Sequence, residues 1–309
     1  MLQNFGTVSV QIIVLLILML LGILCRKVGF LNKDTVKKLA DIMLYIVTPC
    51  VIVKSFQRPF DTGLLRGFLI SLAAAIASQG MAILLAVLLF RGKDLQRKKV
   101  LRFGTVFSNC GFMSIPLLEA ILGDEGVFYG AAYLAVFNIL AWTVGVVFMS
   151  SSGKGSIKAK TILLHPGILS VVLGLIFFFF TVELPQIIYK PIEYMSFLNT
   201  PVPMLVIGYY IAEVKLKTVL RHFDEWLLYF LRLIVLPFTL LGVMVLLGIR
   251  GNVLVASVIS ASAPVATMST MFAAKYDADA VFSAQTVSVS TLMSIVTMTL
   301  TVGLAMYLQ

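Results

Sequence analysis

The stretch from Gly104 to Gly123, GTVFSNCGFMSIPLLEAILG, is apolar enough to lie in a bilayer, yet it carries Ser108, Asn109, Gly111, Ser114 and Pro116 in its middle. Pro116 has no N–H to donate and its ring clashes with the preceding turn, so the sequence predicts a helix that kinks or opens there. Broken backbone at membrane depth is tolerated only where it is buried in protein or lines a wet cavity. Other helices must therefore surround the break. A merely kinked structural helix would use the same residues, since Gly and Pro are frequent in membrane helices. A second, matching break elsewhere in the chain separates the two readings.

Composition agrees with a bilayer setting. Of 309 residues, 60% are hydrophobic and only 12% charged, far less charge than the surface of a soluble enzyme needs. The net charge of +10 does not point to nucleic acid, because the basic residues sit in short loops between apolar runs. Cys25, Cys50 and Cys110 lie in or beside apolar segments without a C-x-x-C pair, which predicts free thiols and no metal site. The first apolar run lacks a basic n-region and a small-residue cleavage site, so it reads as a retained span.

A membrane helix needs about 20 mainly apolar residues. On that measure the chain predicts ten spans, at about 7–24, 39–56, 64–90, 104–123, 127–149, 166–181, 192–212, 226–249, 253–274 and 280–307. Alternate loops (26–38, 91–102, 154–160, 215–221 and Lys275) hold 18 of the 24 Lys and Arg residues. This bias places those loops, including the polar linker 151–163, in the cytoplasm and both termini outside a multi-pass plasma-membrane protein.

Landmarks recur between the halves. Gly22 and Gly174 are 152 residues apart, as are Thr48-Pro49 and Thr200-Pro201, and Pro116 and Pro264 are 148 apart. Segments 1–150 and 164–309 hold five spans each, and an odd number forces the second copy to sit upside down. The expected fold is an all-α 5+5 inverted repeat whose fourth and ninth spans break and cross at the midplane, an arrangement that builds substrate sites in secondary transporters.

Several motifs in order carry a resemblance: GFLNKDTVKKLADIMLYIVTPCVIVKSF, SNCGFMSIPLLEAILGDEGV, FNILAWTVG, HPGILSVVLGL and ELPQIIYKPIEYMSFLNTPVPMLVIGYYI. They resemble the auxin efflux carrier family in its short prokaryotic form, over nearly the whole chain. The resemblance implies a scaffold bundle (about 7–56 and 164–212) against a transport bundle (about 64–149 and 226–307). It also implies movement of a small organic anion, typically a carboxylate such as an auxin-like acid or a dicarboxylate. A homodimer through the scaffold fits the family. The chain departs from the plant pattern at four points, the first being that only Ser150 to Lys160 stands in place of a long cytoplasmic loop. Asn109 stands apart from Pro116, the ninth-span break reads Ser262-Ala263-Pro264 without Asn, and Tyr45 stands where some plant members carry Lys, with no acid in the third span.

Breaking a helix frees N–H groups that carry partial positive charge and can hold a carboxylate. The expected substrate site therefore comprises Asn109, Gly111 and Pro116 of the fourth span, Asn138 of the fifth, Thr200 and Pro201 of the seventh, and Ser262 and Pro264 of the ninth, with donors just after Pro116 and Pro264. Gln285, Ser288 and Glu119 are candidates for coupling to H⁺ or Na⁺, and no cofactor is implied. Arg232 is the deepest charge, about two turns from a loop, and an interfacial or paired position is expected for it. A Na⁺-coupled organic-anion symporter of the bile-acid-symporter type is the alternative within this fold. An intramembrane enzyme is excluded on motifs: there is no H-E-x-x-H, no G-x-S-x-G and no pair of deep aspartates.

Overall fold

The computed structural model describes residues 2–92, 94–150, 164, 166–213 and 223–309. The expected cytoplasmic linker 151–163 and the basic loop 215–221 lie outside them. The described chain is helical, and its only strand-like pairing is one isolated bridge. In order, α1 is Leu2–Lys27 and α2 runs from Lys33–Ile42 through a π turn, Met43–Val47, into Thr48–Ser55. Next come α3 (Thr62–Leu89) and α4 (Leu95–Val106). The run Cys110–Met149 is split at Gly123, whose φ of 63° ends one helix and starts another, giving α5 (110–122) and α6 (124–149). After the linker come α7 (Pro166–Phe179), α8 (Gln186–Ala212, with a 3₁₀ turn at Phe197–Asn199), α9 (Phe223–Leu246), α10 (Asn252–Ser262), α11 (Met268–Lys275) and α12 (Ala280–Leu308).

Five of these runs, Thr62–Leu89, Cys110–Met149, Gln186–Ala212, Phe223–Leu246 and Ala280–Leu308, are long and apolar enough to cross a membrane, and Pro166–Phe179 and Asn252–Ser262 are shorter apolar helices. The helices start where side chains cap them. Asn32, Asp61, Asp94 and Asp279 accept from the first-turn amides of α2, α3, α4 and α12, each worth about 0.5–2 kcal/mol. Three of the few acids are thereby structural. Lipid-type faces follow: on α3, Leu69, Ile76 and Leu84 are exposed while Ser71, Ser78 and Gln79 are buried.

The prolines explain a difference from the sequence expectation. Pro116 does not open its span. It sits second in a helix directly after the π turn Cys110–Ser114, just as Pro49 follows Met43–Val47 and Pro237 follows Leu231–Val235. The wider turn accommodates the missing donor and moves the preceding carbonyl from the ring, so the helix continues. The break lies earlier, at Phe107–Asn109, between α4 and α5.

Two contacts set the frame. α1 meets the second half of α8 at glycine: a Cβ on Gly22 would strike the Leu205 backbone, and one on Gly208 would strike the Met19 carbonyl. Such small-residue contacts let backbones approach closely. At the other end, Phe56, Phe68, Phe128 and Phe178 join α2, α3, α6 and α7, with Phe56 and Phe128 ring centroids 4.6 Å apart.

Candidate functional site

The segments after α4 and α10 lose helical winding and lie against each other. Ser108 and Val265 form an antiparallel bridge. The Asn109 N–H donates to the Pro264 carbonyl at 2.7 Å, and the Ala266 N–H donates to the Phe107 carbonyl at 2.9 Å. The Val265 N–H is taken by Ser290 Oγ of α12 at 3.1 Å. Ser114 Oγ reaches the Ile259 carbonyl at 3.2 Å, tying α5 to α10. Buried backbone groups need partners, and here each interruption supplies them to the other.

Beside the bridge lies a cavity of about 40 Å³, room for roughly three water molecules. Asn109, Gly111 and Phe112 at the start of α5 line it, as do Ala266, Thr267 and Met268 at the start of α11. Two helix N-termini, with their partial positive charge, thus border one space. Asn138 of α6 and Thr48 of α2 complete its polar wall. Among the described residues, three polar atoms on this wall are buried without a hydrogen-bond partner: Asn109 Nδ2, Asn138 Oδ1 and Thr48 Oγ1. Their residues are 4%, 1% and 3% exposed. Orphaned polar groups at such depth are costly unless something binds them.

The predicted residues divide. Asn109, Gly111 and Asn138 meet in the cavity. Pro264 contributes its carbonyl to the bridge. Ser262 turns back on its own helix, donating to the Ile259 carbonyl at 3.1 Å. Pro116, Thr200 and Pro201 are not in the lining; Thr200 and Pro201 join the 3₁₀ turn of α8 to its second half. Thr48 is half of the repeated Thr-Pro, and it is this copy, not Thr200, that reaches the cavity. The three coupling candidates are not brought together. Glu119 pairs with Lys54 of α2 at 3.2 Å, which also holds Asp124 at 3.2 Å. Gln285 lines a separate cavity of about 370 Å³ with Lys33, Tyr210 and Glu213, and Ser288 Oγ donates to the Tyr210 and Ala284 carbonyls.

Arg232 corrects another expectation. It does not reach toward an interface: it is 1% exposed and its guanidinium points into the protein. It donates to the Thr105 and Val106 carbonyls at 3.2 and 3.3 Å and also to the Ala261 carbonyl. These are the free carbonyls that end α4 and α10. The broken ladders offer the guanidinium ready acceptors, which outweighs the snorkelling that the side chain's length allows.

The family model described as Membrane transport protein matches residues 7–162 and 155–302. The chain belongs to this auxin efflux carrier-like family of membrane transporters. It is accordingly a transporter and not an enzyme. Similar proteins include an uncharacterized transporter of Methanocaldococcus jannaschii, 26% identical over 303 residues, covering 94% of this chain and 96% of that one. An uncharacterized transporter of Methanothermobacter thermautotrophicus is 27% identical over 294 residues, covering 92% and 94%. A Rhizobium meliloti protein named "Putative malonate transporter" is 23% identical over 211 residues, covering 65% and 66%.

Proposed function

We propose that this family member is a secondary active transporter that carries a small carboxylate across the plasma membrane by alternating access. The observation that carries the reading is the set of three orphaned polar atoms around one cavity between two helix N-termini. An anion there would accept from Asn109 Nδ2 and Thr48 Oγ1 and lie at the positive ends of α5 and α11. Asn138 Oδ1 suits a hydroxyl or the proton of a half-ionised diacid. The relative named for malonate transport agrees with a short carboxylate.

In this reading ten spans form two inverted repeats, with α4–α5 and α10–α11 as the fourth and ninth. The cavity then sits between the scaffold bundle, which gives Ala40, Leu44, Thr48 and Gly167, and the transport bundle, which gives the rest of its lining. Because both bundles form its wall, their relative movement enlarges or closes it, as a space of about 40 Å³ requires before a dicarboxylate enters. Lys54, on the scaffold, grips Glu119 and Asp124 on the side opposite the basic loops. The larger cavity at Lys33 and Glu213 opens on the side of those loops. This arrangement fits an inward-facing state closed outside by an ion-pair latch.

The test is uptake into proteoliposomes loaded with a panel of mono- and dicarboxylates under imposed proton or Na⁺ gradients. Saturable flux of a carboxylate, reduced in Asn109→Ala, is expected. Absence of flux for every acid, or flux indifferent to Asn109, would overturn the reading.

A further inference from the structure

Arg232 is buried at the crossing and, among the described residues, no carboxylate is paired with it. Its partners are three main-chain carbonyls and the Tyr133 hydroxyl. The ionisable groups that face it are Tyr133 and Cys110, a phenol and a thiol that are un-ionised at neutral pH in ordinary surroundings. Arginine cannot be deprotonated in proteins. The centre of the molecule therefore holds a full positive charge, answered only by dipoles. Its Nη1 lies 3.3 Å from the Val106 carbonyl, and Val106 precedes the cavity residue Asn109 by three positions. Three extended residues reach at most about 11 Å, so the charge stands within roughly 14 Å of the cavity.

We infer that Arg232 is the countercharge for the transported anion: it travels with the crossing, so that the carrier holding a monovalent carboxylate moves as an electrically neutral unit. This rests on the transport reading above. The neutral wall of the cavity supplies hydrogen bonds, and Arg232, tied to the ends of both interrupted helices, supplies the charge without touching the substrate. It is a positioning residue with an electrostatic reach. A unit charge at that distance and an effective dielectric near 20 is worth roughly five- to tenfold in anion affinity. A divalent acid would leave the loaded unit with one net negative charge.

The experiment is homoexchange in proteoliposomes, with saturating carboxylate on both sides and the membrane potential set by valinomycin and K⁺. Under exchange only the loaded carrier crosses. In the wild type the exchange rate of a monocarboxylate should not change with potential, whereas that of a dianion should. Arg232→Lys should keep this pattern. Arg232→Gln should make monocarboxylate exchange potential-dependent and raise its KM by about five- to tenfold; a purely structural role would lower the amount of active protein without changing the voltage response. Wild-type monocarboxylate exchange that follows potential would overturn the inference even if Arg232→Gln does not fold. Wild-type protein with no exchange of any acid would instead overturn the transport reading.

Discussion

In Asn109→Ala the bridge backbone is untouched. The Asn109 N–H still donates to Pro264, and its carbonyl still receives the Met113 and Ser114 amides. What disappears is Nδ2, a donor with no partner on a residue 4% exposed. Leaving a buried donor unsatisfied costs about 1–3 kcal/mol, so truncation relieves that cost. Against it stands the lost packing of the carboxamide group, about 1 kcal/mol. The net effect on stability should fall between about zero and about 2 kcal/mol of stabilisation. Binding behaves differently. A hydrogen bond to a charged carboxylate is worth about 1.5–3 kcal/mol, so KM should rise by about 10- to 150-fold. The assays are a melt of the purified protein in detergent and carboxylate uptake in proteoliposomes at matched protein content. A variant that melts far below the wild type while its surviving fraction keeps the wild-type KM would refute the reasoning, because the amide would then be structural.

Thr48→Val keeps the side-chain shape and removes the orphaned hydroxyl; stability should hold or rise slightly while KM rises by about tenfold, read in the same two assays. Lys54→Met frees Glu119 and Asp124 from their shared cation; a cysteine introduced at Leu122 should react faster with a membrane-impermeant maleimide added outside, and unchanged labelling would dismiss the latch. Gly208→Leu drives a side chain into the Met19 backbone and should cost well over 3 kcal/mol, seen as loss of monodisperse protein on extraction. Asp279→Ala removes the cap on the Phe282 amide at 2.8 Å and should lower stability by about 1 kcal/mol in the detergent melt with KM unchanged.

Much of the helical plan was legible in the sequence, because spans longer than the bilayer is thick leave a strong apolar signal. The turn at Gly123 was legible for the same reason, as a polar Gly-Asp-Glu-Gly step between two apolar runs. The interruption near Pro264 was placed correctly, since α10 ends at Ser262. Its partner lies at Asn109, seven residues before the Pro116 to which the sequence points. Proline signals a missing donor, but it does not say whether a π turn will absorb the defect, and π turns depend on neighbours that packing supplies. Asn109 and Asn138 were legible because an amide in an apolar run requires an explanation. Thr48 and Arg232 were less so: the first is one of two equivalent Thr-Pro pairs, and the direction of a long side chain follows from acceptors on other helices.

The bridge at Ser108 and Val265 joins residues from opposite halves of the chain through peptide groups alone. Main-chain pairing of this kind is indifferent to which side chains are present. The joint can therefore persist while evolution exchanges the residues around it, and cargo preference can drift without the machine coming apart. It also ties α4, α5, α10 and α11 to one another, so under the transport reading proposed above a carboxylate seated there would be carried by a rigid cradle rather than handed between independent helices.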